Sequence, residues 1–377
     1  MNARGFTLIE LLIACLLLTL VTAAVAAIAA PARNALERTL GAAEVSAGGR
    51  ATLERLLFDV REAGSGAAIG QQGLDLSDVM PVVVPRASLD DLTVATPGEA
   101  MTVTRVGLGA PQGALLYDAA AGSTVLQLDT TDRCVNVGVA CGFQPGMIAV
   151  VFDPSRASTV VVRAVTAGGF VQLSAALPVA FAAGAVVASA TTATYGLRRN
   201  ADGSQRLVRS SPEGPEQPVL QNVVGFEVRA YGEAMAPLPA AIDGSPPTYG
   251  PRAPPGGQDD PRDIWGAGEN CTIARSGDGS ALARLPSTAP ASEPAVLATG
   301  TLTDGPWCAD DGDPARFDAD LLRIRGVDVR LRVEAASATL RGSAARLFQR
   351  PGTEQNAGRW VPDVELRTRI AVRNAGQ

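Results

Sequence analysis

The sequence predicts an α+β fold, in which one long N-terminal helix packs on a β-rich head built from antiparallel sheet. An uncharged apolar run near the N-terminus leads into residues with helical periodicity. Short runs with strand-like alternation, separated by Gly, Pro and Asp, fill most of the remaining chain. Gly 40, Pro 26 and only 4% aromatic residues indicate many turns, which disfavours an all-helical fold.

The first element is the apolar run at 11–30, which contains no charged residue. At 1.5 Å per residue, a helix of this length spans about 30 Å, the thickness of the hydrocarbon core of a bilayer. The run therefore predicts a membrane-crossing helix. Basic residues stand on both sides of it, so the positive-inside rule does not fix its orientation.

Several classes of N-terminal segment share this hydrophobicity. A secretory signal has a shorter apolar region, of about 7 to 15 residues. A lipoprotein signal would use Cys15 after Leu12-Ile13-Ala14, but fifteen further uncharged residues follow that cysteine. A plain membrane anchor explains the apolar run but gives Glu10 no role. A carboxylate at the centre of such a helix costs about 2.5 to 3.5 kcal/mol, so its presence suggests a function.

The residues around Glu10 favour a fourth class. The segment Gly5-Phe6-Thr7-Leu8-Ile9-Glu10-Leu11-Leu12 follows a short polar leader, Met1 to Arg4. It resembles the prepilin-type cleavage and methylation motif of type IV pilins and type II secretion pseudopilins. The resemblance implies cleavage between Gly5 and Phe6 by prepilin peptidase, methylation of the Phe6 amine, and a role for Glu10 in assembly.

The second element is a helical stem beyond Pro31. Its apolar residues recur at three- and four-residue steps, as in an amphipathic helix. Arg33 with Glu37 and Arg55 with Asp59 are predicted as i,i+4 pairs on its solvated side. Pro31 and the pair Gly48-Gly49 predict a curved or broken helix. The apolar positions are Leu36, Leu40, Ala43, Ala47, Leu53, Leu57 and Val60.

The third element is the head, which begins near Gly64. Apolar residues alternate with charged ones from Val327 to Glu334 and again from Val364 to Arg373, which predicts two strands with one buried face each. Shorter signals lie at 147–152, 159–165 and 224–231. The predicted boundaries are a leader at 1–5, a transmembrane helix at 6–30, a stem at 31–62 and a head at 63–377.

The Pro/Gly-rich stretch at 236–296 interrupts this rhythm and offers little apolar surface to bury. We expect an insertion or flexible loop there, either a solvated excursion or a recognition surface. Three head segments are similar to parts of PilW-type minor pilins and of the J-type minor pseudopilin, and the length and insertion fit the PilW-type group better. These segments are 195–199 with Gly203 and Arg209, 222–228, and 369–374.

Four cysteines lie in the head, and an oxidising compartment predicts disulfides for them. We favour Cys134 with Cys141 and Cys271 with Cys308, because each couple lies in one local segment. A zinc site on all four is the alternative, although the first couple is too widely spaced for the usual knuckle. The acidic run at 310–320 is either a solvated loop or a calcium loop, and its order does not match the EF-hand pattern.

The basic residues restrict the chemistry. All 32 are Arg, and the chain contains no Lys and no His. It therefore lacks the residues for a Ser-His-Asp triad, a Cys-His pair, a Schiff base or a Walker A lysine. The carboxylates show no distinctive spaced pair, so we expect neither an enzyme nor a cofactor. The net charge of -6 and the absence of a basic run do not suggest nucleic acid as a partner.

The resemblance completes the sequence-based hypothesis. It implies a PilW-like minor pilin that helps to initiate a type IV pilus and lies at or near its tip. The alternatives are a J-type minor pseudopilin of a type II secretion system and, in another class, a surface adhesin on a membrane anchor. Implied partners are prepilin peptidase, other minor pilins, the major pilin, the inner-membrane assembly platform and the inner membrane itself, with a tip adhesin as a further candidate. The head would lie in the periplasm and then in the filament.

Overall fold

A computed structural model gives the fold of this chain. It describes residues 8–65, 76, 80–84, 99–107, 109–131, 133, 134, 136, 138–153, 156–211, 214–233, 273–278, 281–283, 295–297, 321 and 323–372. One long helix precedes a set of antiparallel sheets, which confirms the predicted α+β class.

Helix α1 runs from Leu8 to Arg61, 54 residues without interruption. At 1.5 Å per residue it is about 80 Å long. Its apolar N-terminal part is long and hydrophobic enough to cross a membrane, and none of that part is buried by the residues that the structure describes. Burial begins only at Gly41, so the first half of the helix projects from the head.

The helix continues through Pro31 and through Gly48 and Gly49, so the curved or broken helix that these residues predicted is not broken at either place. The glycines instead allow the helix to approach the head closely. A Cβ on Gly41 would lie 2.9 Å from Leu340, and one on Gly49 would overlap Leu366. Each missing side chain therefore makes room for a leucine of the head.

Ten strands form the largest sheet. Its main path is β1-β2-β8-β5-β6-β7-β4, and β3 and β9 also pair with β8, while β10 pairs with β9. All these pairings are antiparallel. The strands are β1 Val83–Val84, β2 Ala100–Val106, β3 Gln112–Ala114, β4 Val125–Gln127, β5 Ile148–Asp153, β6 Arg156–Thr166, β7 Phe170–Leu173, β8 Val186–Arg199, β9 Gln205–Ser211 and β10 Gly214–Gln221.

A second, four-stranded antiparallel sheet has the order β14-β11-β15-β16. Its strands are β11 Val223–Gly232, β14 Ala295–Leu297, β15 Ile324–Val333 and β16 Val364–Ala371. A separate hairpin joins β12 Ile273–Arg275 to β13 Ala281–Ala283. All five strands predicted from the sequence are present, within a few residues of the expected bounds.

The predicted insertion at 236–296 lies mostly outside the described residues. Where it is described, it contains the β12–β13 hairpin and the start of β14. Ala295 and Leu297 are buried, so the end of this stretch belongs to the packed sheet. The boundaries of the leader, stem and insertion remain predictions.

The hydrophobic core lies where the stem half of α1 meets both sheets. Leu53, Leu56 and Val60 share one cluster of buried side chains with Val103 of β2 and Val329 of β15. A second cluster lies around β5, β6 and β7, farther along the large sheet. The stem is therefore part of the core of the head, because its inner face helps to shield apolar side chains from both sheets.

One buried polar cluster joins the end of the stem to the large sheet, and we name it the Asp59 cluster. The hydroxyl of Tyr195 donates to Asp59 Oδ2 at 2.5 Å, and Arg209 Nε donates to the same oxygen at 3.3 Å. Arg105 lies 3.9 Å from the other carboxylate oxygen. Asp59 was predicted on the solvated side with Arg55, which is wrong, since it is 5% exposed.

The Asp59 cluster makes the stem sensitive to substitution. Burial raises the pKa of the Tyr195 phenol, and the Asp59 carboxylate raises it further. Tyr195 is therefore a neutral donor at any physiological pH. Replacing Asp59 by an apolar residue leaves a buried hydroxyl and the Arg209 guanidinium without their acceptor.

We expect Asp59→Ala to lower the free energy of unfolding by about 3 kcal/mol, and Tyr195→Phe by about 1 kcal/mol. Urea denaturation of the purified chain in detergent measures both changes. Glu54→Ala, which removes an exposed carboxylate from the same helix, is the matched control and should change the value by less than about 0.5 kcal/mol. Equal effects of Asp59→Ala and Glu54→Ala would contradict a structural role for the cluster.

Candidate functional site

The candidate site is the projecting half of α1. Its large apolar side chains, from Leu8 to Ile28, are 53–79% exposed. Such a surface is unstable in water, and in a bilayer or against other apolar helices it is favourable. The apolar part of the helix therefore indicates a membrane anchor.

Two threonine hydroxyls within this half are satisfied by the helix itself. Thr19 donates its hydroxyl to the carbonyl of Leu16 at 2.8 Å, and Thr22 donates to the carbonyl of Leu18 at 2.8 Å. A hydroxyl that donates to its own helix avoids the cost of an unpaired donor in hydrocarbon. Cys15 is an exposed free thiol on the same surface.

Glu10 lies in the first turn of α1, with its side chain on the exposed surface. A carboxylate is favourable near the positive end of the helix dipole. The other two predicted site residues of this segment, Gly5 and Phe6, lie outside the described residues. Their roles in cleavage and methylation stay predictions.

A second exposed apolar surface follows along the stem, and we name it the outer stripe. It consists of Leu36, Leu40, Ala43 and Ala47, all exposed. The sequence pattern assigned these residues to the apolar side of an amphipathic stem, together with Leu53 and the residues after it. In the structure the two groups differ, because the outer stripe is exposed whereas Leu53 is buried.

The reason is geometric. The buried side of this part of the stem carries Gly41, Val45 and Gly49, and these lie on the opposite side of the helix from the outer stripe. The outer stripe therefore points away from the head. Its spacing of four, three and four residues is that of helix-to-helix contact positions.

The head also contacts the stem at Glu37, close to Gly41, the first residue of α1 that the head buries. Arg359 donates to this carboxylate at 2.8 Å, and Arg33 of the stem donates to it at 3.0 Å. The predicted Arg33–Glu37 pair is thus confirmed. The hydrogen bond from Arg33 holds the pKa of Glu37 below its usual value, and the positive charge of Arg359 lowers this pKa further.

The Cys134–Cys141 disulfide predicted from the sequence is present in the structure. It lies beside the large sheet, where Cys141 is fully buried and a Cβ on Gly113 of β3 would approach its sulfur to 2.7 Å. With both sulfurs bonded to each other, these two cysteines are not available as thiolates for the zinc alternative. The Cys271–Cys308 pairing and the acidic run at 310–320 lie outside the described residues.

The outer face of the four-stranded sheet carries a charge network that the sequence pattern predicted as solvated. Asp328 of β15 is buried, and Arg367 Nε donates to its two oxygens at 3.0 and 2.8 Å. The hydroxyl of Tyr231 donates to the same carboxylate at 3.2 Å. Alternation alone did not identify Asp328 as buried, because the arginine and tyrosine that cover it come from β16 and β11, which neighbour β15 in the sheet but are far from it along the chain.

A second carboxylate at the end of β15 is covered in the same way. Glu334 is 2% exposed, and Arg341 and Arg350 lie 2.5 and 3.1 Å from its oxygens. Burial raises the pKa of Glu334 against the opposing effect of the two guanidiniums. The sequence had predicted this residue, too, on a solvated face.

Comparison with known proteins adds one match. The family model for the prokaryotic N-terminal methylation motif matches residues 1–26. No curated protein matches the chain. The match covers the predicted leader and most of the projecting apolar segment, and it supports a type IV pilin-like or pseudopilin-like protein. The role of that family is structural rather than catalytic.

The charge network predicts a dependence of stability on pH. Hydrogen bonding from Arg367 holds the pKa of Asp328 below its usual value. Its contribution is therefore complete above the ordinary carboxyl pKa of about 3.9, and it is lost as the pH falls through the lower, folded-state value.

We expect Asp328→Asn to lower the free energy of unfolding by about 1 to 3 kcal/mol at pH 7. The difference from wild type should stay constant from pH 6 to about 4 and shrink only as the pH falls further, toward about 2. Denaturant titrations across that range measure it, with Glu227→Gln on the exposed part of the same face as the control. A difference that stays constant with pH would contradict the assignment.

Proposed function

We propose that the chain is a minor subunit of a type IV pilus, of the PilW-like kind, which helps to start assembly and enters the filament at or near its tip. The observation that supports this most is the methylation motif at residues 1–26, which leads directly into a helix whose apolar half lies outside the head. A subunit of this form can be held in the membrane before assembly and in a bundle of helices afterwards.

In this proposal the leader ends at Gly5, and prepilin peptidase releases Phe6 as the first residue of the mature chain. The head reaches the periplasm, where the Cys134–Cys141 disulfide is stable. The new amine and Glu10 are then the only charges proposed to act within the apolar segment. They lie four residues apart, or about 6 Å of helix rise, which makes an ion pair within one chain awkward.

An ion pair between two neighbouring subunits avoids this difficulty. When one helix is displaced along the filament axis, its Glu10 lies beside the Phe6 amine of its neighbour. Two charges in an apolar medium then become an ion pair, and breaking such a pair costs about 3 to 5 kcal/mol. The outer stripe extends the proposed contact surface from the apolar segment into the stem, because its residues face away from the head.

A J-type minor pseudopilin of a type II secretion system would use the same helix in a shorter filament. Deleting the gene in its host separates the two: loss of surface pili supports the pilus, and loss of protein secretion with normal pili supports the pseudopilus. An adhesin role for the head is a third hypothesis, which surface-binding assays of assembled filaments would test.

The first test is the mature N-terminus. We expect mass spectrometry of membrane-associated protein to find a chain that starts at Phe6 and carries one N-methyl group. Gly5→Leu should leave the precursor uncut in the inner membrane, whereas Ala3→Leu in the same leader should be processed normally. A lipidated start at Cys15, or a start near Pro31, would exclude a pilin-like subunit.

The second test concerns Glu10. Glu10→Val should leave insertion and cleavage intact and reduce incorporation into filaments, because the neighbour's amine loses its carboxylate. Immunoblots of sheared filaments and of membranes, compared for each variant, measure this ratio. Glu44→Val removes an exposed stem carboxylate and is the matched control.

Equal incorporation of the Glu10→Val variant and wild type at an internal filament position would rule out charge pairing. A subunit at the extreme tip has no neighbour above it whose amine needs a carboxylate. The defect should therefore be weaker if the chain occupies that place.

A further inference from the structure

One described contact of the head with α1 lies close to the end of the apolar run. That run ends at residue 30, and the helix continues without interruption through Pro31. Arg359 of the head donates to Glu37 at 2.8 Å, seven residues farther along the helix, or about 10 Å of helix rise. Because the helix is unbroken, this part of the head is held at a fixed distance from the apolar run.

Phospholipid headgroups occupy nearly the same level when the apolar run fills a bilayer. The hydrocarbon core is about 30 Å thick and the whole bilayer about 40 to 45 Å, so each headgroup layer measures about 5 to 7 Å. Arg33 lies about 4.5 Å of helix rise beyond residue 30, within that layer, and Arg38 lies about 12 Å beyond it. Helical side chains tilt toward the N-terminus, here toward the bilayer, and arginine is long, so both guanidiniums can reach lipid phosphates.

Both of these arginines have donors to spare. The side chain of Arg33 is 80% exposed, and its Nε donates to Glu37 at 3.0 Å. Its two terminal nitrogens donate no hydrogen bond to any described residue. Arg38 is exposed and forms no ion pair with a described carboxylate. Five N–H groups or more are therefore free to meet an anion from outside the chain.

The glutamates at this level are held by the third arginine. Arg359 divides its two terminal nitrogens between Glu37, at 2.8 Å, and Glu354, at 3.4 Å. We name the group formed by Arg33, Glu37, Arg38, Glu354 and Arg359 the collar. Its three arginines outnumber its two glutamates, so the collar carries a net positive charge. Without Arg359 the two glutamates would balance Arg33 and Arg38.

We propose that the collar binds anionic phospholipids at the surface of the bilayer that α1 crosses. Arg33 and Arg38 each donate to a lipid phosphate, and Arg359 neutralises the glutamates that would otherwise repel it. A guanidinium matches the geometry of a phosphate with two parallel N–H groups. A zwitterionic lipid carries an ammonium that offsets its phosphate, so a headgroup with net negative charge binds more tightly. The proposal rests on the membrane anchor and not on the filament that the chain enters.

The test uses the full-length chain in a non-ionic detergent, mixed with equal amounts of phosphatidylglycerol and phosphatidylcholine that have the same acyl chains. Native mass spectrometry measures the ratio in which the two lipids are retained. Wild type should prefer phosphatidylglycerol about tenfold or more, and Arg33→Gln and Arg38→Gln should each lower that ratio about fivefold. Arg50→Gln is the matched control, because this exposed arginine lies about 30 Å of helix rise beyond the apolar run.

A pair of variants tests the role of Arg359 as a positioning residue. Arg359→Gln should lower the preference for phosphatidylglycerol about fivefold, because it leaves the collar without net charge. Adding Glu37→Gln to that variant restores the net positive charge and should restore the wild-type ratio. A loss caused only by local unfolding of the head would not be restored by this second change. Near-UV circular dichroism shows whether each variant keeps its packed head.

Several results would overturn the proposal. One is equal retention of the two lipids by wild type, and another is a loss of preference in Arg50→Gln as large as that in Arg38→Gln. Inorganic phosphate that abolishes the preference at an ionic strength at which sodium chloride does not would assign the arginines to a free anion instead. None of these measurements involves a filament, so their failure would leave the proposed pilus role untouched.

Discussion

Asp59 is buried between a tyrosine and two arginines at the C-terminal end of α1, and the position of the whole helix depends on this contact and the packing beside it. The carboxylate belongs to the helix, whereas Tyr195, Arg209 and Arg105 belong to three different strands of the large sheet. Its burial is tolerable only when all these partners are in place. The cluster therefore fixes both the rotation of the stem and its height on the sheet.

That fixed rotation decides which surfaces remain for other molecules. With Gly41, Val45 and Gly49 against the head, the outer stripe necessarily faces outward. Glu37 and Arg359 mark the level at which the head stops covering the helix. Beyond it, toward the N-terminus, none of the described parts of the head covers the apolar side chains of the helix. In a membrane or against neighbouring helices, such a surface is favourable.

The absence of lysine and histidine shapes the head as well. Each buried carboxylate described above is held by arginine, whose planar guanidinium offers several fixed donors and keeps its charge at any physiological pH. Asp328 and Glu334 are covered in this way at two places on the four-stranded sheet. On β16, the guanidinium of Arg369 lies over the ring of Tyr231 instead.

The sequence by itself determined the long helix, five of the strands and the order in which these elements follow one another. Uncharged residues at 11–30, the motif around Gly5 and Phe6, and alternation at 327–333 and 364–372 depend on local chemistry, so they can be identified without the fold. The Cys134–Cys141 pairing could be predicted for the same reason, since the two residues lie in one short segment.

The tertiary structure alone decided which side of the stem is buried, and that Asp59, Asp328 and Glu334 lie inside. A carboxylate appears solvated in a sequence pattern unless its partners are known, and here they come from strands far away along the chain. The stem carries apolar residues on two opposite sides, so periodicity shows that it is a helix but cannot choose which side meets the head. Only the shape of the head, which accepts glycines at 41 and 49, makes that choice.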